Sequence, residues 1–358
     1  MPELQNLYLD KIFADAVERN ASDIHLSVGM QPVLRINSNL TITDAPPIDQ
    51  ELMLKDIQSK IKPEVYEIFM TRHDVDFSYA LAGSDRFRIS LYWKMGKPAL
   101  AARPIPSHIP TLEELDAPEA VHDFINLQNG IVLVTGPTGA GKSTLLASMI
   151  EQINQNKSKH IITLEDPIEF IYQSNKSLVS QRELGTDFAS FSDGLKHVFR
   201  QDPDIVLIGE MRDPDTMITA LTLAETGHLI FATLHTNDAV STVERIINSF
   251  PGDLQQQVRL QLSLVLRGVV AQLLLPTMDG HLVAVREVLV GNTAISNMIR
   301  EGKTEQLQNV ILTSGAEKMI DLDNDLQSFV NSGVISYETA KEFARNKNKF
   351  SPGRATKR

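Results

Sequence analysis

Nine consecutive residues have the makings of an anion cradle. Gly136, Pro137, Thr138, Gly139, Ala140, Gly141, Lys142, Ser143 and Thr144 fit the pattern G-x-x-x-x-G-K-[ST]. Glycines let backbone N–H groups approach phosphate oxygens with no Cβ in the way. A helix that starts at such a loop adds the partial positive charge of its N-terminus. Lys142 then reaches the β- and γ-phosphates of a nucleoside triphosphate, and Ser143 offers its hydroxyl to Mg²⁺. The chemistry implied is binding a nucleoside triphosphate and hydrolysing its γ-phosphate.

That chemistry needs acids and an oriented water as well. Glu210 follows an apolar run at 205–208, itself preceded by Asp202, Pro203 and Asp204, which is how a Walker B acid sits. Its expected role is on Mg²⁺, directly or through water. Glu165 ends the run 160–164 and is the better candidate to orient and deprotonate the water; on sequence alone the two roles can be exchanged. His235, after the run 229–234, is placed to contact the γ-phosphate; the other option is an ordinary loop histidine, as for His228. Arg182, Arg200, Arg212 and Arg245 surround these stretches and need be no more than ion-pair partners.

The elements that must hold these residues follow from the pattern. The run 131–135 before the loop is apolar and β-branched, as in a buried parallel strand. Residues 145–153, 191–199 and 214–225 read as helices between the four strand-like runs, the last with Asp213 as N-cap, Pro214 at its first position and Gly227 past its end. Strands alternating with helices predict a parallel sheet with right-handed crossovers, and ligands bind outside the carboxyl ends of such strands. Residues beyond about 238 read as mostly helical, with one further strand or a hairpin at 283–290, and those from Asn346 as frayed.

The first hundred residues read differently. An amphipathic helix carries Leu9, Ile12, Phe13, Ala16 and Val17; short strands follow at 22–28 and 33–36, with a turn at 37–39. Two helices span about 48–72, separated near Pro63. Alternating strands then place Val75, Phe77, Tyr79 and Leu81, and Phe87, Ile89, Leu91 and Trp93, on inward faces, joined by a turn at 83–85, with a third strand at 99–103. If Phe87 and Ile89 point inward, Arg86 and Arg88 point outward together. They are either a solvated surface or an anion site facing another subunit. Residues 104–110 carry three prolines and read as a semi-rigid linker, with a helix starting near Leu112.

Composition narrows the class. At 358 residues two domains are expected, and 42% apolar content is ample for packed cores. A net charge of −11 gives no field for nucleic acid, so a RecA-like nucleic-acid motor is disfavoured. With no cysteine, a cysteine-ligated zinc site is excluded. No signal peptide is visible, and the apolar segment 262–275, broken by Arg267 and Gln272, is too short to span a bilayer. These features predict a cytoplasmic protein with no direct membrane insertion.

Several stretches together resemble the type II/IV secretion ATPase superfamily, and within it the PilT-type pilus-retraction motors. Residues 21–26 (Ala-Ser-Asp-Ile-His-Leu) resemble the opening of that family's PAS-like N-terminal domain, 162–169 its Asp box, 209–213 its Walker B ending, and 227–239 its His box. Residues 294–301 resemble the retraction motors' C-terminal signature, with Ser296 where the family has arginine and Met298 where it has leucine. The resemblance implies an α/β fold, with a PAS-like α+β domain at 1–104, a linker at 105–112, and a RecA-like ATPase domain with a helical C-terminal region at 113–358. It implies a homo-hexamer with ATP between subunits, in which Arg86, Arg88 and Arg103 are donated by a neighbour. It also implies pilus retraction through an inner-membrane platform protein, work alongside other pilus ATPases, and a place at the cytoplasmic side of the inner membrane. Assembly or secretion motors of related systems, and a nucleotide-gated switch that does not turn over, are the alternatives.

Overall fold

The computed structural model describes residues 8–36, 39–81, 86–105 and 108–350. They fall into two compact units, Met1–His108 and Ile109–Arg358.

The first unit orders α1 (Tyr8–Glu18), β1 (Asp23–Ser27), β2 (Val33–Ile36), β3 (Asn39–Ile42), α2 (Gln50–Lys60), α3 (Pro63–Arg72), β4 (Asp74–Ala80), β5 (Arg86–Lys94) and β6 (Lys97–Ile105). Its sheet runs β3-β2-β1-β6-β5-β4, antiparallel at every pairing. Leu9, Phe13 and Ala16 of α1, with Met53 and Ile57 of α2 and Phe69 of α3, cover Ile24, Leu34, Phe87, Ile89 and Ala102 on one sheet face. β3 was not expected, because its four residues are all exposed and show no inward alternation; the expected turn at 37–39 has Asn39 inside β3, and 37–38 lie outside the described residues, as do 83–85. Pro104 and Ile105 do not begin a linker: they extend β6, paired with Phe87 and Arg86. Proline is tolerated there because the pairing of β6 with β1 stops at Ala102, so the side of β6 away from β5 has no partner strand to miss an N–H.

The second unit orders α4 (Glu119–Phe124), β7 (Gly130–Thr135), α5 (Lys142–Asn156), β8 (His160–Glu165), β9 (Leu178–Glu183), α6 (Phe191–Val198), β10 (Ile205–Ile208), α7 (Pro214–Glu225), β11 (Leu229–Leu234), α8 (Ala239–Asn248), α9 (Gly252–Val265), β12 (Leu266–Pro276), β13 (Leu282–Val290), α10 (Thr293–Glu301), α11 (Leu307–Thr313), α12 (Leu322–Asn331) and α13 (Tyr337–Phe343). The sheet order is β13-β12-β7-β11-β10-β8-β9. All neighbours are parallel except the β12–β13 hairpin. Alternate residues of β7 feed two cores: Ile131 and Leu133 pack towards α6–α9, while Val132 and Val134 pack towards α5 and α4. Burial on both faces is why these strands read as unbroken apolar runs.

Three expectations change here. Leu112 is buried in a single turn, not a helix. Thr111 and Glu114 cap that turn reciprocally, the Thr111 N–H donating to Glu114 Oε2 at 2.7 Å and the Glu114 N–H to Thr111 Oγ1 at 3.2 Å. Left-handed Asp116 (φ 44°) and Pro118 then stop it. Residues 266–276, within the stretch expected to be mostly helical, form β12, while the strand or hairpin expected at 283–290 is β13, the other arm of a nine-pair hairpin. Residues 346–350 are not frayed, since Phe350 is fully buried against Leu275, Val285 and Leu326. Among the described residues, no helix is long and apolar enough to cross a membrane.

Candidate active site

Because β7, β11, β10 and β8 are parallel, their carboxyl ends gather at one edge. The phosphate loop follows β7, His235 follows β11, Glu210 follows β10, and Glu165 ends β8. Gly136, Gly139 and Gly141 take positive φ of 139°, 81° and 79°. A Cβ on Gly136 would lie 2.2 Å from Gln272 O, so glycine is required there by space as well as by conformation. Pro137, Thr138 and Gly139 are exposed, Ala140 is buried, and Ser143 and Thr144 are half-buried in the first turn of α5.

Lys142 is buried, and its ammonium donates to Gly136 O at 2.8 Å and Pro137 O at 3.0 Å, with His235 Nδ1 3.5 Å away. The other ring nitrogen of His235, Nε2, lies 3.2 Å from Glu210 Oε1, and Arg212 pairs with Glu210 Oε2 at 2.8 Å. Lys142, His235 and Glu210 thus form one continuous chain of contacts. Burial pushes Lys142 below its ordinary value, partly offset by the charges of Glu210 and Glu169. Burial also acts to raise Glu210, but the hydrogen bond from Arg212 and the charges of His235 and Arg212 outweigh it and hold the carboxyl low.

Glu165 lies apart from that chain and is buried. Thr163 Oγ1 donates to it at 2.7 Å, Gln181 Nε2 at 3.2 Å and the Glu169 N–H at 3.4 Å. Burial wins over these bonds and raises its carboxyl to about 7. Two acids at adjacent strand ends therefore differ: one is held ionised and the other is poised near neutrality. His228 precedes β11 rather than following it, so the six-residue strand separates it from His235 by roughly 20 Å. It bonds Leu223 O at 2.9 Å and packs edge-on against Phe199.

Sequence reasoning missed several supporting residues. Gln181 and Thr163 hold Glu165, and Glu287 accepts from the Ala239 N–H at 2.9 Å, anchoring the loop that carries His235. Gln272 donates to Ala140 O at 2.6 Å; its signal in the sequence was a polar residue interrupting an apolar run. A cavity of about 200 Å³ beside the loop is lined by Gly141, Thr144, Gln272, Leu274, Arg286 and Phe329, among others.

Arg86, Arg88 and Arg103 belong to the first unit. Arg88 is cross-strand partner of Arg103, and both lie on the sheet face opposite the core, as does Arg86. Arg88 is exposed and Arg86 half-buried. Arg103 donates to Asp23 Oδ1 at 2.7 Å, and Arg35 lies 3.6 Å from Asp23 Oδ2, so one carboxylate serves a face rich in arginine.

The raised carboxyl of Glu165 has a consequence for stability. Its folded value lies above the unfolded value near 4.5. The fold therefore binds that proton more tightly, and the stabilisation is complete below pH 4.5 and lost as pH rises towards 7. Glu165→Gln is expected to stabilise the protein at pH 8 by on the order of 3 kcal/mol and far less near pH 5. Denaturant unfolding at the two pH values measures this, and a variant less stable than wild type at pH 8 would contradict it.

Residues 101–347 match the family described as Type II/IV secretion system protein. The type IV pilus retraction ATPase PilT of Pseudomonas aeruginosa is 40% identical over 340 residues, 94% of this chain and 98% of that one. A twitching motility protein of Neisseria gonorrhoeae is 43% identical over 321 residues, covering 89% and 86% of the two chains. A crystal structure of the pilus retraction motor PilT with bound ADP superimposes with a TM-score of 0.90 at 41% identity, covering 95% of this chain and 98% of that one. The matched region holds both the phosphate loop and the acids at the strand ends, and the chain belongs to the type II/IV secretion system protein family as an ATPase of the PilT type.

Proposed function

We propose that this chain hydrolyses ATP to drive retraction of a type IV pilus. The observation that carries the reading is the contact chain Lys142–His235–Glu210 at the carboxyl ends of adjacent parallel strands. The backbone N–H groups of residues 138–144 cradle the α- and β-phosphates, and Lys142 reaches the γ-phosphate. His235, touching both Lys142 and Glu210, senses that phosphate. The cavity beside Gly141 and Thr144 lies on the other side of the loop from this chain and takes the ribose and base.

Among the described residues no cluster of three His, Asp or Glu side chains could hold a metal alone. The residues present fit Mg²⁺ none the less, since that ion keeps waters and phosphate oxygens and needs few protein ligands. The Ser143 hydroxyl and the ionised Glu210 would hold it, and it would neutralise charge developing on the phosphates. Glu165, with a carboxyl near 7 in an enclosed site, orients the attacking water and takes its proton. Turnover should then fall about tenfold per pH unit below pH 7. Glu165→Gln should retain ATP but slow hydrolysis by orders of magnitude, and Lys142→Ala should lose both; wild-type turnover by Glu165→Gln in a phosphate-release assay refutes the base assignment.

The arginine face of the first unit has the chemistry to stabilise a transferring phosphoryl group, an effect of about 10³–10⁵ where a partner supplies it. We assign Arg86, Arg88 and Arg103 to the site of a neighbouring subunit in a homo-hexamer. Arg86→Ala/Arg88→Ala protein and Lys142→Ala protein should each be inactive alone and recover part of the activity in mixed rings. Activity of the arginine variant as an isolated monomer rules out action in trans.

Retraction is favoured over assembly or secretion by the pilus-retraction relatives, matched over nearly the whole chain, and by the absence of cysteine. Force passes to an inner-membrane platform protein from the cytoplasmic side, with other pilus ATPases as possible co-workers. Residues 294–301 form the body of α10, which buries Ile295 and Ile299 and exposes Ala294, Arg300 and Glu301 for such a contact. Cells lacking the gene should carry excess pili when imaged by electron microscopy; bald cells would mean assembly instead.

A further inference from the structure

β12 passes directly beneath the phosphate loop at Gln272. Its carbonyl oxygen stands 2.2 Å from where a Cβ on Gly136 would be, and its Nε2 3.0 Å from one on Gly141. The Gln272 side chain is 3% exposed and both its ends are engaged. Nε2 donates to Ala140 O at 2.6 Å, and Oε1 accepts from Arg286 Nε at 2.8 Å. Arg286 sits opposite Gln272 in the β12–β13 register and is 4% exposed. Its remaining guanidinium nitrogens donate to Leu115 O at 2.8 Å and Asp116 O at 2.9 Å. Its backbone N–H is held by Asp325 Oδ2 at 2.8 Å.

The direction of the Ala140 carbonyl matters because the peptide unit is planar and trans. A carbonyl drawn outward to Gln272 sends the Gly141 N–H to the opposite side, into the phosphate cradle. Glycine at 141 has no Cβ to hold that plane by itself, so the side-chain hydrogen bond fixes it. Arg286 in turn fixes the amide of Gln272, leaving its NH₂ end for Ala140. A buried guanidinium is a poor choice for stability alone, since an apolar pair of similar volume does at least as well. Its planar fork holds three oxygen acceptors at set angles, which an apolar pair cannot do. Those acceptors belong to Gln272 and to the Leu115–Asp116 turn, through which the chain enters this unit.

We propose that Gln272 and Arg286 are positioning residues that aim the Gly141 N–H at bound nucleotide and tie the phosphate loop to the Leu115–Asp116 turn. The proposal rests on the nucleotide-binding reading of the loop. When nucleotide settles on the loop, the Ala140–Gly141 peptide is locked, and the lock passes through Gln272 and Arg286 to the turn.

The decisive variant is Gln272→Glu. It keeps the size and the acceptor for Arg286 but replaces the donor to Ala140 O with a carboxylate oxygen. Full-length protein should keep or raise its Tm. Its Kd for ADP, measured by calorimetry, should rise about tenfold or more, and its KM for ATP likewise, with kcat changed much less. Gln272→Met, which leaves Ala140 O without a donor, should weaken ADP binding in the same direction and stands in if the glutamate variant folds poorly. Hydrogen exchange at Leu115–Ala117 should slow on ADP addition in wild type and not in Arg286→Lys, whose single ammonium lacks the planar fork that spans Gln272, Leu115 and Asp116. Wild-type ADP affinity in folded Gln272→Glu and Gln272→Met overturns the positioning role. Exchange at 115–117 that ignores ADP in wild type overturns the tie to the turn. Failure of wild type itself to bind ADP would overturn the nucleotide-binding reading, and this proposal with it.

Discussion

The register between β7 and its parallel neighbour β11 sets the geometry of the site. Gly130 pairs with Leu229 and Thr135 with Leu234, so the two strands end level with one another. The residue after one strand opens the phosphate loop, and the residue after the other is His235. β10 adds Glu210 by the same logic, since Ile208 pairs with Ala232. A slip of one residue would exchange the two cores that the sheet separates, because alternate positions feed opposite faces. Burial of both faces is therefore what fixes the distance from Lys142 to His235 and Glu210.

On that frame the electrostatics are divided by depth. Glu210 is partly exposed and touches Arg212 and His235, so its charge is compensated. Glu165 is deeper and meets neutral donors from Thr163, Gln181 and the Glu169 N–H, with no cation among its hydrogen-bond partners in the described residues. Desolvation then dominates and the carboxyl stays near neutrality. Similar side chains at the ends of adjacent strands acquire different acidities because one has a cationic neighbour and the other does not.

A second layer of buried polar groups supports this one from the C-terminal half. Arg345, near the end of the described chain, bonds both oxygens of fully buried Glu287, one of them at 2.9 Å, and Glu287 accepts from the Ala239 N–H. Arg286 and Gln272, one hairpin register away, support the phosphate loop in the same manner. Two neighbouring loops at the carboxyl edge, at Ala140 and at Ala239, are thus supported from adjacent residues of β13, Arg286 through Gln272 and Glu287 directly. The C-terminal helices complete the ATPase core rather than merely follow it.

Much of this was legible in the residue order. Local rules carry the phosphate loop, since glycine positions, the lysine and the flanking strand and helix lie within some twenty residues. The Asp213 cap and Pro214 start of α7 are local too, and the four central parallel strands β7, β8, β10 and β11 announce themselves as apolar runs, whereas polar β9 does not. Other features were legible only in part: three prolines hid the end of β6, and the apolar stretch of β12 gave no period to tell strand from helix. Exposed β3 offered no alternation at all. What only the tertiary structure decided is which polar side chains meet. Gln272 and Ala140 are 132 positions apart, and Arg286 and Asp116 are 170 apart. The acidity of Glu165 depends on burial by elements scattered along the chain. Spacing along a sequence encodes neighbours within a turn or a strand, whereas long-range contacts and desolvation exist only once the sheet has closed its two faces.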